Sequence, residues 1–470
     1  MQPPRPIVRA ARTALALAAA GMLVACASPA IDANLAAAQA DVHERAGLDL
    51  RWLRSDAARD DARRDVDRLL LQPLQADDAQ RVALTASPAL QALLFDRAAQ
   101  SADASQSARI ANPVFALERL AGGDGVEITR GLSIALLDLV LLPQRAQRAD
   151  ARQAQLRLQL AADVLRSAAD ARAAWIAAVA AAQSARSAQQ AHEAADLGAR
   201  LALKLEASGA FSALQRARVQ ADAGDTLVAL AQARRDERAT REALVRALGL
   251  SDAQAAALRL PAHLPGLPDL PPTIAVDDAA LQRARSGRLD LQLARARLAE
   301  RAREQGLTRV TGAVTGLELG IEKRTQSAAP TDHGVTLSVP LPLFDAGDAA
   351  RAGAQARTQA ALARTAAQAV DAASQLRAAA ADVREAHALA LALNERLVPL
   401  QATIVGENLL RYNGMLASVF DLLADARAQA RTVQQAIAAQ RDYWLADAAL
   451  QAATWGIPAT SVAIDLEATP

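Results

Sequence analysis

Two long stretches of this chain run almost free of helix breakers, and they restrict its folding more than any other feature. From Gln144 to about Glu206, and again from Gly347 to about Tyr412, only Pro399 interrupts an alanine-rich, evenly charged sequence. A helix of some 60 residues would be roughly 90 Å long at the usual rise. No single globular core buries such a helix, so these must pack side by side as coiled coils. Composition supports this: 52% of the 470 residues are hydrophobic but only 2% are aromatic. Alanine carries the apolar fraction, which favours helix and lets helices approach closely. The 22% of charged residues, interspersed through these stretches, keeps one face wet. A formal net charge of +1 argues against a nucleic-acid partner. No apolar run of 18 or more residues follows Cys26, so no transmembrane helix is expected.

The chain is internally duplicated. Asp77-Asp78-Ala79 recurs as Asp277-Asp278-Ala279, and Ser87 to Ala92 corresponds to Arg288 to Leu293. Gly131 to Ile134 matches Gly334 to Leu337, and the stretch from Gln144 matches that from Gly347. Between the halves, Leu260 to Pro272 is proline-rich and reads as an extended linker. The expected division is a signal peptide at 1–25, a first repeat at 26–259, a linker at 260–272 and a second repeat at 273–470. Each repeat should hold a helix, a strand pair and a long helical hairpin. The strand pairs are placed at about 110–142 and 306–343, the hairpins at about 144–249 and 347–455.

The strands are read from alternation. Val126, Ile128, Leu132, Ile134 and Leu136 alternate with Glu127, Thr129, Gly131, Ser133 and Ala135. Val335, Leu337, Val339, Leu341 and Leu343 do the same against Thr336, Ser338, Pro340 and Pro342. The earlier partners, around Phe115 and around Leu319, alternate more weakly. One face is aliphatic and the other is Gly, Ser, Thr and Glu, the pattern of a barrel facing lipid outward and water inward. Alternation alone is equally compatible with two amphipathic hairpins packed on the helices of a soluble domain. Four strands cannot close a barrel, and open edges are not tolerated in lipid, so a membrane reading requires an oligomer.

Cys26 is the only cysteine. Arg5, Arg9 and Arg12 precede an apolar run, Thr13 to Ala25, as in an export signal. Leu23-Val24-Ala25-Cys26 fits the lipoprotein signal box, which makes Cys26 a lipid-attachment site and the mature N-terminus; an ordinary signal peptide with an incidental cysteine is the other reading. Acylation would leave no thiol for a disulfide or a metal. Ala27 after the cysteine points to outer-membrane sorting.

Taken together, the lipobox, the duplicated segments, the strand pairs, Gly209 to Arg218 and Arg411 to Leu423 resemble the TolC-type outer-membrane efflux channels, in particular their lipoprotein branch. The resemblance covers almost the whole mature chain. It implies a mainly α fold with a membrane β-barrel: a homotrimer in which four strands per protomer make a 12-stranded barrel continued by an α-helical tunnel. It implies a passive exit duct in the outer membrane, with the helical part in the periplasm. A periplasmic adaptor would deliver solutes from an inner-membrane pump. By the same resemblance, Ser208, Gly209, Asn413 and Gly414 form the turns that meet the adaptor. Glycine permits the backbone such a turn needs. Asp421, with Asp425 one helical turn on, becomes the candidate periplasmic gate, a threefold ring selecting cations. Both could equally be solvated surface charges. Gln215 stands where relatives often place an aspartate.

Nothing points to a cofactor, a metal or an enzyme. His43, His192, His263, His333 and His387 are scattered without ligand spacing and read as surface residues. Trp52, Trp175, Trp444 and Trp455 are too dispersed for an aromatic girdle and should pack between helices. A periplasmic coiled-coil lipoprotein acting as scaffold or adaptor is the rival from another class.

Overall fold

The computed structural model describes residues 28–122, 125–268, 287–311, 316–326 and 330–457. Cys26, the signal segment and linker residues 269–272 lie outside them. Helices α1 (Ser28–Ala46), α2 (Asp56–Leu69), α3 (Ala76–Ala86) and α4 (Pro88–Ser107) lead into strands β1 (Val114–Gly122) and β2 (Gly125–Ala135). Then come α5 (Leu136–Val140), α6 (Leu142–Ala207), α7 (Ala213–Leu248) and α8 (Asp252–Ala257). The second half holds α9 (Leu289–Thr311), β3 (Glu318–Gln326), β4 (Asp332–Ser338), α10 (Asp348–Ala392), α11 (Val398–Asn413) and α12 (Val419–Trp455). The fold is mainly α with one small antiparallel sheet.

The order of elements repeats, but several boundaries differ from the sequence expectation. Residues 306–311 are the last turns of α9, where Thr308 and Thr311 bond back to the carbonyls of Glu304 and Leu307. The fourth strand stops at Ser338 and not at Leu343, because Pro340 and Pro342 have no N–H for the ladder. Leu136 to Val140 turn into a short helix before Pro143 settles in the first turn of α6, where its missing donor costs nothing.

Between α10 and α11 the residues Leu393–Leu397 form a π turn, in which the Val398 N–H reaches back to the Leu393 carbonyl. Pro399 explains it: its ring cannot donate to the preceding turn, and a widened turn absorbs the clash. One stretch within Asp348–Asn413 is apolar and long enough by composition to cross a membrane, with a mean hydropathy of 1.2. That departs from the expectation of no such segment, and alanine is responsible.

The chain divides into two compact units. The first gathers Phe95–Ala161 and Leu289–Val370 with the N-terminal segment to Asp41. It contains the sheet. Its helices are held by polar contacts: Ser101 Oγ donates to Gln153 Oε1 at 2.7 Å, and Gln153 Nε2 returns a bond to the Ser101 carbonyl at 2.7 Å. Gln368 Nε2 reaches Asp290 at 2.8 Å, fixing α10 against α9.

The second unit comprises Val42–Leu94, Ala162–Arg288 and Asp371–Pro470. Its main core gathers Val66, Leu74, Val82, Trp175, Val179, Leu244 and Leu248, and a second cluster forms around Val383, Ala390 and Tyr443. Two of the tryptophans pack as expected: Trp175 is buried and donates to the Leu74 carbonyl at 2.7 Å, and Trp455 donates to the Arg45 carbonyl at 3.2 Å, whereas Trp52 lies in a non-helical stretch under the Arg54 guanidinium. His387 does not lie on the surface. It is buried edge-on to Tyr443, with Nε2 2.8 Å from the Pro268 carbonyl. The described part of the linker explains this. Prolines donate nothing but keep their carbonyls, and Pro265 accepts from Gln440 at 2.7 Å and from Trp444 at 3.0 Å.

Candidate functional site

Two surfaces carry the chemistry, one in each unit. The first is the sheet. Its strands lie in sequence order, all antiparallel, with β1 and β4 as open edges. The register places Phe115, Leu132, Ile321 and Val335 side by side in one row, with Ile134, Leu319 and Leu337 in the next. Alternation puts both rows on one face. Val335 is 75% exposed, and Phe115 and Ile321 are exposed too. A face this apolar marks an interaction surface. The opposite face carries Glu118, Glu127, Glu318, Glu322 and Asp332, with Arg324 bonded to Glu127 at 2.9 Å. Gly320 leaves ordinary room there: a Cβ on it would lie 3.5 Å from Ser133 Cβ.

The second surface is built by the two helix-to-helix turns. In the first, Gly209 takes a left-handed conformation (φ +76°), the Ala210 N–H bonds the Leu205 carbonyl at 2.8 Å, and Ser208 caps Leu205 at 3.0 Å. Ser212 then opens α7 with a capping box shared with Gln215. In the second, the equivalent bond runs from the Leu416 N–H to the Arg411 carbonyl at 2.8 Å. The left-handed residue there is Met415 (φ 57°), while Gly414 has an ordinary φ of −85°. The expectation that Gly414 supplies the special backbone is therefore wrong. The repeat aligns one residue further on, with Met415 in the place of Gly209.

Asp421 sits in the first turn of α12 and closes a capping box with Ser418, accepting from its N–H at 3.1 Å and from its Oγ at 2.8 Å. Those two bonds hold its carboxyl below the usual carboxylate range. Its structural counterpart is Gln215, which fills the same capping role uncharged. Asp425 accepts from Asn408 Nδ2 across the turn. So both aspartates have local partners within the protomer.

Sequence reasoning missed what joins the two turns. Phe211 and Phe420 stack at 5.0 Å with their rings 16° from parallel, and Arg427 pairs with Asp222 at 2.5 Å. Gly198 leaves room for Leu423, whose Cδ2 would lie 3.1 Å from an added Cβ. Two of the five phenylalanines within ten residues of a predicted turn were the available signal.

No family sequence profile and no curated protein sequence matches this chain. Solved structures do. The outer-membrane channel OprN aligns over 89% of this chain and 95% of its own, with a TM-score of 0.63 at 17% identity. The CmeC outer membrane channel of Campylobacter jejuni aligns over 82% and 86%, with a TM-score of 0.65 at 13% identity. VceC, an outer membrane protein of Vibrio cholerae, covers 81% and 96%, with a TM-score of 0.60 at 17% identity. The fold is that of the TolC-type outer-membrane channels. In a chain of this fold, an exposed aliphatic face and two open sheet edges have a direct interpretation.

Proposed function

We propose that this TolC-type fold serves as the outer-membrane channel of a tripartite efflux system, a passive exit duct that catalyses no reaction. The observation that carries this reading is the sheet: an exposed aliphatic face, an acidic face behind it and two open edges. Three copies joined edge to edge would close 12 strands into a barrel with lipid outside and the acidic face lining water. A soluble scaffold lipoprotein has no use for such a face. Cys26 would add a lipid anchor at each N-terminus.

The remaining assignments follow from the same reading. The turns at Ser208, Gly209, Asn413 and Gly414 are the adaptor contacts, and an inner-membrane pump supplies the solutes. Asp421 and Asp425, repeated threefold, form the gate. Opening it would separate the Phe211–Phe420 stack or carry it along as a unit.

Planar-bilayer recording on the purified full-length protein, with electron microscopy of the same sample, tests the proposal. Stepwise conductance and threefold particles are expected. A Cys26→Ala protein that is released without detergent, stays monomeric and gives no conductance would show the lipid to be the sole anchor and the channel reading to be wrong.

A further inference from the structure

The sheet sorts its carboxylates by face. Every carboxylate on the described strands lies on the face of Glu118, Glu127, Glu318, Glu322 and Asp332. The aliphatic face has none. It carries instead Arg130, Lys323 and His333, which are consecutive cross-strand neighbours in one row. Arg119 stands one row nearer the hairpin turns, opposite Ile128 and diagonal to Arg130. All four side chains are exposed, and none makes an ion pair with a described residue. Like charges directly opposite each other destabilise a sheet, so Arg130 beside Lys323 is unfavourable for the isolated chain.

The position of the row supplies a reason. On its helix side lie the two wholly apolar rows of Phe115 and Ile134, and beyond the end of β4 Val339 and Leu341 are also exposed. Beyond Leu341 the chain bends, the Leu343 N–H bonding the Leu341 carbonyl at 2.9 Å, so Val335 to Leu341 spans roughly 20 Å at about 3.3 Å per residue, most of the roughly 25 Å lipid band of such barrels. The basic row therefore sits at the border of that band, on the side of the hairpin turns. All four connections to helices leave from the other side. Arginine and lysine at a lipid headgroup level pair best with phosphate, and arginine does so bidentately.

Resting on the channel reading above, we propose that Arg119, Arg130, Lys323 and His333 form a site on the outer wall of the barrel for the phosphates of a phosphorylated glycolipid in the surrounding outer leaflet. The lipid's anionic headgroup resolves the like-charge pair, and its acyl chains cover the aliphatic rows beneath. Arg324, on the acidic face, takes no part.

The test uses the full-length protein in detergent, titrated with bisphosphorylated lipid A and read by native mass spectrometry. Replacing Arg119, Arg130 and Lys323 together by Gln should lower retention on the order of a hundredfold, given the usual gain per basic residue at an anionic surface. Arg324→Gln should leave it unchanged, and Arg→Lys replacements at 119 and 130 should keep most of it. Equal retention by the triple variant would overturn the proposal, as would equal retention of phosphatidylglycerol. Displacement by millimolar inorganic phosphate would show a free-anion site and overturn the lipid assignment. Bilayer conductance separates the two levels: a triple variant that conducts but retains lipid normally refutes only this site, whereas a wild-type protein that never conducts refutes the channel reading.

Discussion

Gly249 ends α7 in a left-handed conformation (φ +68°), and an added Cβ would meet Pro88 Cδ at 2.6 Å and Ser87 Cα at 2.8 Å. Both distances are shorter than side chains tolerate, and one of the atoms is backbone. Gly249→Ala therefore carries two costs. A left-handed alanine costs about 1–2 kcal/mol, offset by about 0.4–1 kcal/mol from the stiffer unfolded chain. Forcing atoms into a packed site adds about 1–3 kcal/mol, because the start of α4 or the end of α7 must move. The sum is about 1–5 kcal/mol, centred near 3. Gly47 supplies the internal control, since it has the same handedness (φ +65°) with nothing within 4 Å of an added Cβ. Gly47→Ala should cost only about 1 kcal/mol. Urea unfolding of the two variants, followed by tryptophan fluorescence, measures the difference. Trp175 is a fitting reporter because it shares a core with Leu244 and Leu248 at the end of α7. Equal losses for the two variants would mean that the Ser87–Pro88 contact costs nothing, and the steric argument would fail.

Two further outcomes concern the helix turns. Met415→Gly should stabilise the second turn by up to about 1 kcal/mol, since it removes a left-handed side chain at some entropic cost, and slower amide exchange at Leu416 would register the gain. Unchanged or faster exchange there would mean the methionine side chain holds the turn through contacts of its own. The folded-state pKa of Asp421 is depressed below its unfolded value, so its contribution is full above the unfolded value of 3.8 and is lost as pH falls through the folded one. Amide exchange in the first turn of α12 should therefore accelerate at acid pH in the wild type, beyond the intrinsic rate change. In Asp421→Asn that acid-dependent component should vanish; its persistence would place the titration elsewhere.

Much of this architecture was legible because it rests on periodicity. The long helices announce themselves by some 60 residues with no proline in the first stretch and only Pro399 in the second, and the strands by alternation, both of which are local signals. The failures are local signals with a tertiary answer. The sequence reads Gly414 as the turn residue, since glycine is the cheap left-handed residue, yet the cap hydrogen bonds fall one position later and impose that conformation on Met415. His387 looks like a solvated residue in an alanine-rich helix. The Tyr443 ring of α12 and the return of Pro268 against α10 bury it. The aspartates were visible as charges on one helix face, but not as capping partners of Ser418 and Asn408. The row of Arg130, Lys323 and His333 was also hidden, because it depends on the pairing of β2 with β3 across the two halves.

The π turn bears on anyone who treats the two halves as interchangeable. The first long helix, Leu142–Ala207, and the continuous helical run Asp348–Asn413 both count 66 residues. Only the second spends one of them on a widened turn. Each α-helical residue advances the contact stripe by about 100°, so equal residue counts here do not give equal rotational phase. A chimera that grafts residues 142–207 in place of 348–413 would match in length while aiming the residue that takes the place of Asn408 away from Asp425. Deleting a single residue within 393–397 and restoring an unbroken α-helix would be the smaller intervention.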